Sequence, residues 1–568
     1  MRWTSGALIL SLAMLASAFA GPEGPVVGTA TAAAGYEIVE MVRGAPLHGA
    51  NGAFVGPDGH LYVASSFGRE IVVLDVDSGA VLRRYGPEAG VLGPDDVIVG
   101  PDGSMYWTDI DVGEVGRRAP DGTVTKQFVA QGVNPITLSP DGRLFVALCF
   151  YGDGLYELDP ELIEPPRPIV VASEEHPFPL GFLNGFDVGP DGRLYGPLLA
   201  AGMVVGIDVD SCEATSQPWS DCDIRVVATD MLLPGAVKFD PAGVLHALDQ
   251  VAGAVYRVDL DSGERPLVAE LGEGLDNLAF DATGRLFVTN AADGSVVEVL
   301  DGGVVRTLSR GGLIGPAGVA VLERPDGGAS LFVGDIFRLW EYDAATGEAL
   351  GFAMGHLIGE GLPAPNGLSS DGDRLVVAST LAAAVQVYDP WAAEALEQHA
   401  FGYANHAVRL GGDLAVIDLL AGGVVWASSR ALILAIDEQS VWLPAALATD
   451  GERLWVSDWA TGIVWQLGFE DGAALPAVAV AFDLANPEGL ALDGAGGLLV
   501  VEVGAQRLSR VDLASGAVEA IASGLEVGLP SMGSLPPTNT ISGVAVDAAG
   551  AIYVTGDLGN VVYRIARR

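Results

Sequence analysis

Lysine is nearly absent from this chain of 568 residues: Lys126 and Lys238 are the only two, and every other permanent cation is arginine. Against 29 basic residues stand 73 acidic ones, for a formal net charge of -44. Such a surface repels nucleic acid and anionic membranes, which argues against both as partners. Cysteine is also scarce. Cys212 and Cys222 bracket a loop-like insertion and could close a small disulfide, whereas Cys149 follows a strand pattern and reads as a buried thiol. None of the three has zinc-ligand spacing. No window sustains a helical period, which excludes a solenoid of helix pairs, and no segment beyond the N-terminus has an apolar run of membrane-spanning length. A serine nucleophile elbow is missing, and "GAGG" (494–497) lacks the strand-to-helix context of a phosphate loop.

Turn residues are plentiful instead, with 77 glycines and 33 prolines spread along the chain. The N-terminus reads as a secretory signal: Arg2, the apolar "ALILSLAML", then "AFA" with cleavage after Ala20. Residues 21–35 read as a linker, and the mature protein as secreted or periplasmic. From residue 36 onward one unit recurs, clearest in "NGAFVGPDGHLYVASSFGREIVVLDVDSG" (51–79). Its turn returns in varied form twelve times at roughly 40 to 50 residues, the spacing of propeller blades. Each copy alternates apolar and polar residues through four short strands separated by tight turns. The expected fold is all-β: two tandem six-bladed β-propellers with twelve four-stranded blades, at 36–302 and 303–568. The last unit lacks a fourth strand, while "YEIVEMV" (36–42) is a strand without a blade. The expected arrangement has that strand closing the first ring and "VVRTLSR" (304–310) closing the second.

The motifs "GPDGHLYVAS", "GPDGRLYG" and "NPEGLALDGAGGLLVVE" resemble NHL repeats and the gluconolactonase and senescence-marker-protein family, and "MYWTDIDVGEVGRRAPDG" resembles a YWTD unit. "LDNLAFDATGRLFV" (275–288) resembles the paraoxonase segment whose adjacent Asp and Asn bind calcium, which maps to Asp276 and Asn277. "FLNGFDVGPDG" maps Asn184 to the Asn-Gly ligand segment of that group, and "GVNPITLSPDG" offers Asn134. The family's ligand glutamate has no clean match; Asp95 or Asp96 stands in, and Asn51 fills the remaining polar slot. The resemblance implies a metal-dependent hydrolase of lactones or esters. Calcium, or another divalent cation, would be held by oxygen ligands and would polarise the carbonyl. Asp276 or His48 would act as base or nucleophile.

Turn chemistry alone also favours Asn-Gly and Asp-Asn pairs, but here polar residues recur at comparable offsets in five of six blades. Blade five breaks the pattern with "LLPGAVKFD". In the second ring Asn366, His406 with Asn405 beside it, and Glu488 are comparable, and that ring reads as a scaffold. The competing function is a non-catalytic NHL-like propeller that binds a protein or glycan. A streptogramin-type lyase is a third, whose His and Glu pattern is not found.

Overall fold

The computed structural model describes residues 28–357, 361–437, 440–533 and 535–568; the expected signal peptide lies outside them. Among the described residues, twelve blade sheets of antiparallel strands form two units. One comprises Ala45–Gly312 with Met532–Ser534, and the other Leu313–Ser531 and Leu535–Arg568 with the N-terminal segment up to Gly44. Each unit holds six blades, so the chain is two six-bladed propellers. Among the described residues no helix is long and apolar enough to cross a membrane.

The local chemistry of a blade is visible in the first. Along Leu61–Ser65 the residues Leu61 and Val63 are fully buried, as strand alternation demands. In the preceding turn Gly59 takes φ 78°, and Asp58 accepts from the His60 N–H (3.2 Å) and the Tyr62 hydroxyl (3.0 Å). A hydroxyl late in the second strand then links neighbouring blades. Thr108 Oγ1 donates to the Asn134 carbonyl (2.6 Å), Thr289 Oγ1 to Asn51 O (2.6 Å), and Ser457 Oγ to Glu488 O (2.8 Å).

A second repeated device uses aspartate at the end of that strand. Asp109 accepts from the N–H groups of Leu92 and Gly93, Asp249 from Leu232 and Leu233, and Asp458 from Trp442 and Leu443. All three carboxylates are buried. Part of the acidic excess is therefore internal, fastening the connection into each inner strand, rather than a solvated surface.

The expected ring closure is corrected by the strand pairing. Tyr36–Arg43 pairs with Val561–Arg567 and completes the last blade of the second propeller, not the first. Val305–Ser309 stays on Val296–Val299 within its own blade. The turn between those two strands, with Gly302 and Gly303 at φ 75° and 78°, makes the local pairing far cheaper in loop entropy than a distant one. Val561–Arg567 pairs on one edge with Ile552–Gly556, and its other edge takes the N-terminal strand. The boundary falls at Gly312/Leu313 rather than 302/303. The expected linker is also partly a strand: Thr31 and Ala32 pair with Ser523 and Ala522.

The first propeller thus closes on itself through six chain-contiguous blades. Ala279, Phe287, Val296 and Leu308 of blade six share one core with Leu47, Leu61, Val63 and Val72 of blade one. Arg285 adds bonds to the Asp77 carboxylate (2.9 Å) and the Val76 carbonyl (3.1 Å).

Candidate functional site

The residues that matter sit where inner strands begin, at the mouth of the first propeller. Strand register shifts there between Pro94 and Val97, between Val133 and Ile136, and between Leu275 and Leu278. Bulges of this kind re-aim side chains. Here they span the pairs Asp95–Asp96, Asn134–Pro135 and Asp276–Asn277, which regular alternation would send to opposite faces.

The two members of each acidic pair play different parts. Asp96 is buried; its Oδ1 accepts from the Val97 N–H (2.9 Å) and the Asn277 amide (3.3 Å), and its Oδ2 from the Ile136 N–H (3.1 Å). Asn277 Oδ1 accepts from the Leu278 N–H (2.8 Å), and Asn184 Oδ1 from the Gly185 N–H (3.0 Å). These second residues pin the strand starts. Asp95 and Asp276 are only half-buried, and they are met at long range by Ser66 Oγ (3.4 Å to Asp95) and Gln250 Nε2 (3.4 Å to Asp276). Both keep a water-reachable carboxylate while surrounded by protein.

Electrostatics bind the three acids into one group. Burial raises Asp276 well above the carboxylate range, and the charges of Asp95 and Asp96 push it further. Burial and the neighbouring Asp96 lift Asp95 to about 7. Asp96 rises to about 6 through burial, opposed by Lys238 and by the Ile136 and Val97 amides. Cys149, a buried free thiol, lies in the same field; burial raises it first, then Asp95, Asp153 and Asp276.

Sequence reasoning missed three contributors. Lys238, one of the two lysines, is buried in the tunnel with Nζ on the Phe186 carbonyl (3.1 Å), and its charge opposes the rise of both Asp96 and Asp187. Gln250 fills the polar slot that blade five seemed to lack. A Cβ at Gly235 would lie 2.8 Å from the Gln250 side chain, so the glycine is the signal that something occupies its place. Ser66 joins Asp95 from blade one. Of the remaining candidates, Asn51 is buried with Oδ1 facing the Ser66 N–H (3.3 Å), Asn134 is buried, and His48 is half-buried in the connection ahead of blade one. At the turn end, the inner strands surround a cavity of about 650 Å³, with Asp187 and Lys238 in its lining.

The second propeller does not bring its candidates into an open mouth. Asn366 Nδ2 donates to the Asn539 carbonyl (2.9 Å), and Asn405 Nδ2 to the Thr538 carbonyl (3.0 Å). The Tyr403 hydroxyl holds Asn539 Oδ1 (2.8 Å). The chain's own Thr538–Asn539 thus occupies the place a ligand would take. His406 bridges inner strands, with Nε2 3.2 Å from Leu368 O and Nδ1 facing the Leu447 N–H at 3.4 Å. This pattern suits a neutral imidazole, and burial lowers its pKa to about 4. Glu488 is buried, accepts from the Ser542 N–H (2.7 Å), and is raised well above its range by burial and then by Asp557. These three candidates serve the structure of the ring. Its tunnel is a cavity of about 240 Å³ lined mainly by small residues such as Gly318, Gly367, Ala446 and Gly489.

No protein-family model matches the chain, and no curated protein matches it. Solved structures similar to it include virginiamycin B lyase from Staphylococcus aureus, 13% identical, covering 52% of this chain and 95% of that one with a TM-score of 0.36. A gluconolactonase from Xanthomonas campestris is 18% identical and covers 48% and 96%, with a TM-score of 0.34. A B. thetaiotaomicron protein described as the extracellular domain of a one-component system covers 93% and 82% at 12% identity, with a TM-score of 0.30. The architecture of this chain rests on its own strand pairing, not on these likenesses.

Proposed function

We propose that the first propeller hydrolyses lactones or esters at the Asp95–Asp96–Asp276 mouth, with the help of a divalent cation. The observation that carries the reading is three carboxylates from two blades, all raised by burial and two of them, Asp95 and Asp276, raised further by neighbouring acids, these two being only half-buried. Sites of this kind release protons when a cation enters.

The donor set is all oxygen, which suits calcium. Among the described residues no three His, Cys, Asp or Glu side chains are placed to hold a metal ion by themselves. Asp95 and Asp276 would therefore share the ion with amide oxygens of Asn51, Asn134, Asn184 or Asn277 and with water. An amide oxygen that accepts one hydrogen bond retains a second lone pair. When bound, calcium supplies polarisation of the substrate carbonyl.

The protein's own residues do the remaining work. Lys238 favours the ionised form of Asp96, whose bonds to Val97, Ile136 and Asn277 fix the strand starts on either side of the mouth. Gln250 orients the Asp276 carboxylate. Asp276 or His48 takes the proton from the attacking water. Export of the protein is part of the proposal; the Cys212–Cys222 disulfide supports an oxidising compartment.

The test is metal determination by mass spectrometry on purified protein, with a panel of lactones and aryl esters assayed with and without chelator. Stoichiometric calcium and turnover, both lost in Asp276→Ala, support the reading. A wild type with neither metal nor turnover overturns it and leaves the non-catalytic scaffold.

A further inference from the structure

Beside the carboxylate mouth stands an aromatic cluster that the hydrolytic reading does not use. It is built from two connections on the same end of the first propeller: residues 149–153, inside blade three, and residues 172–186, leading into blade four. The second is the longest of the connections between these blades; its counterparts at 129–132, 229–233 and 271–274 are short. Long ordered loops in a compact domain are commonly functional.

Phe150, Tyr151 and Phe178 are 44%, 57% and 60% exposed. Phe182 links the group, stacked on Phe150 at 5.9 Å and edge-on to Phe178 at 5.4 Å. Phe150 and Phe182 both sit at positive φ, 66° and 68°, a conformation unfavourable for a bulky side chain. The shelf is also fastened: Asp153 accepts from the Leu180 N–H (2.8 Å) and the Gly181 N–H (2.7 Å), tying one connection to the other. Exposed rings held rigidly in strained backbone are costly as packing and useful as a binding surface.

Charge indicates the occupant. The two connections contain no Lys or Arg and carry the exposed Glu174 and Glu175. The charges of Asp111 and Asp95 reach Tyr151. Aromatic faces within an acidic surround favour an organic cation over an anion or a neutral apolar group. We propose that this shelf binds an alkylammonium group carried by the ester or lactone that the carboxylate mouth handles. The inference rests on that mouth being the working end of the propeller.

The experiment is calorimetric titration of the full-length protein with choline and with its neutral isostere 3,3-dimethyl-1-butanol, each with calcium and with chelator. Saturable choline binding, about tenfold tighter than the isostere, is expected. Phe178→Ala and Tyr151→Ala should each weaken choline several-fold with no change in thermal stability. Phe150→Gly relieves the strained φ, so it should weaken choline while leaving or raising stability; a purely structural ring would do the reverse. Equal binding of the isostere, unchanged affinity in the Phe178→Ala/Tyr151→Ala double variant, or no binding at tens of millimolar each overturns the proposal. Binding is read without turnover, so choline binding in a protein that hydrolyses nothing sinks only the hydrolase reading. Turnover of neutral esters without choline binding sinks only this one.

Discussion

At the first mouth Asp95 and Asp276 reach water, while at the second Asn366 and Asn405 hold the chain's own Thr538 and Asn539. The blades beneath are the same, with bulged inner strands, hydroxyl links between blades and aspartates fastening the connections. The difference lies in the connections. Between Val518–Ser523 and Val544–Val546 the second ring carries a long connection whose Thr538 and Asn539 satisfy the amides of Asn405 and Asn366. The first ring has no counterpart there and leaves its carboxylates unneutralised except by Lys238. A propeller mouth is a default site, and this chain has filled one and left the other open.

The largest test of that comparison concerns closure. Deleting residues up to Arg43 should abolish the folding transition of the second propeller, on the order of its whole stability of about 5–15 kcal/mol, and leave that of the first. Calorimetry or limited proteolysis reads this directly, and two intact transitions would show that the swapped strand is dispensable. Next comes chemistry: Asp276→Asn should lower turnover by about 10²–10³-fold, whereas Glu488→Gln leaves it unchanged. Comparable losses in both would place the site elsewhere.

A smaller effect separates the rings by pH. His406 has a folded pKa of about 4 against an ordinary 6.5, so between those values the unfolded chain binds the extra proton. Its contribution is present above pH 6.5 and is lost as pH falls towards 4, amounting to about 3 kcal/mol. The stability gap between wild type and His406→Gln should close over that range; a gap independent of pH would rule out a buried neutral imidazole. The raised pKa values of Asp95 and Asp96, about 7 and about 6 against 3.8, act with the opposite sign. They favour folding at low pH and lose that contribution as pH rises through about 6 to 7. Calcium should restore the first propeller there, as followed by its melting temperature. The smallest change is Asn405→Ala, which removes a hold on the plug and should cost about 1–2 kcal/mol, with faster proteolysis within 530–542. An unaffected cleavage rate would mean that the plug is held elsewhere.

Much of the architecture was legible because it is local. Turn residues such as Pro57 and Gly59 and the alternation of "HLYVAS" specify a hairpin within a dozen residues, and repetition does the rest. The candidate positions were also legible in part: Asp95, Asp96, Asp276 and Asn277 do meet. Their division of labour was not, since Asp96 and Asn277 serve the backbone while Asp95 and Asp276 face water. Gln250 was hidden because its mark lies not at Gln250 but at Gly235 on the preceding strand, whose missing side chain leaves the space it fills. The strand swap was misassigned because both candidate edges read alike, and only the length of chain to be closed distinguishes them.

The amino-acid sequence by itself determined the blade, its number and the polar start of five inner strands in the first ring, because each depends on residues close in the chain. Which ring receives the N-terminal strand, which mouth stays open and which carboxylate remains free were decided by tertiary structure. Each of those outcomes depends on partners far apart in sequence, such as Asn366 with Asn539, or Asp96 with Asn277. Their energies exist only once the rings have closed.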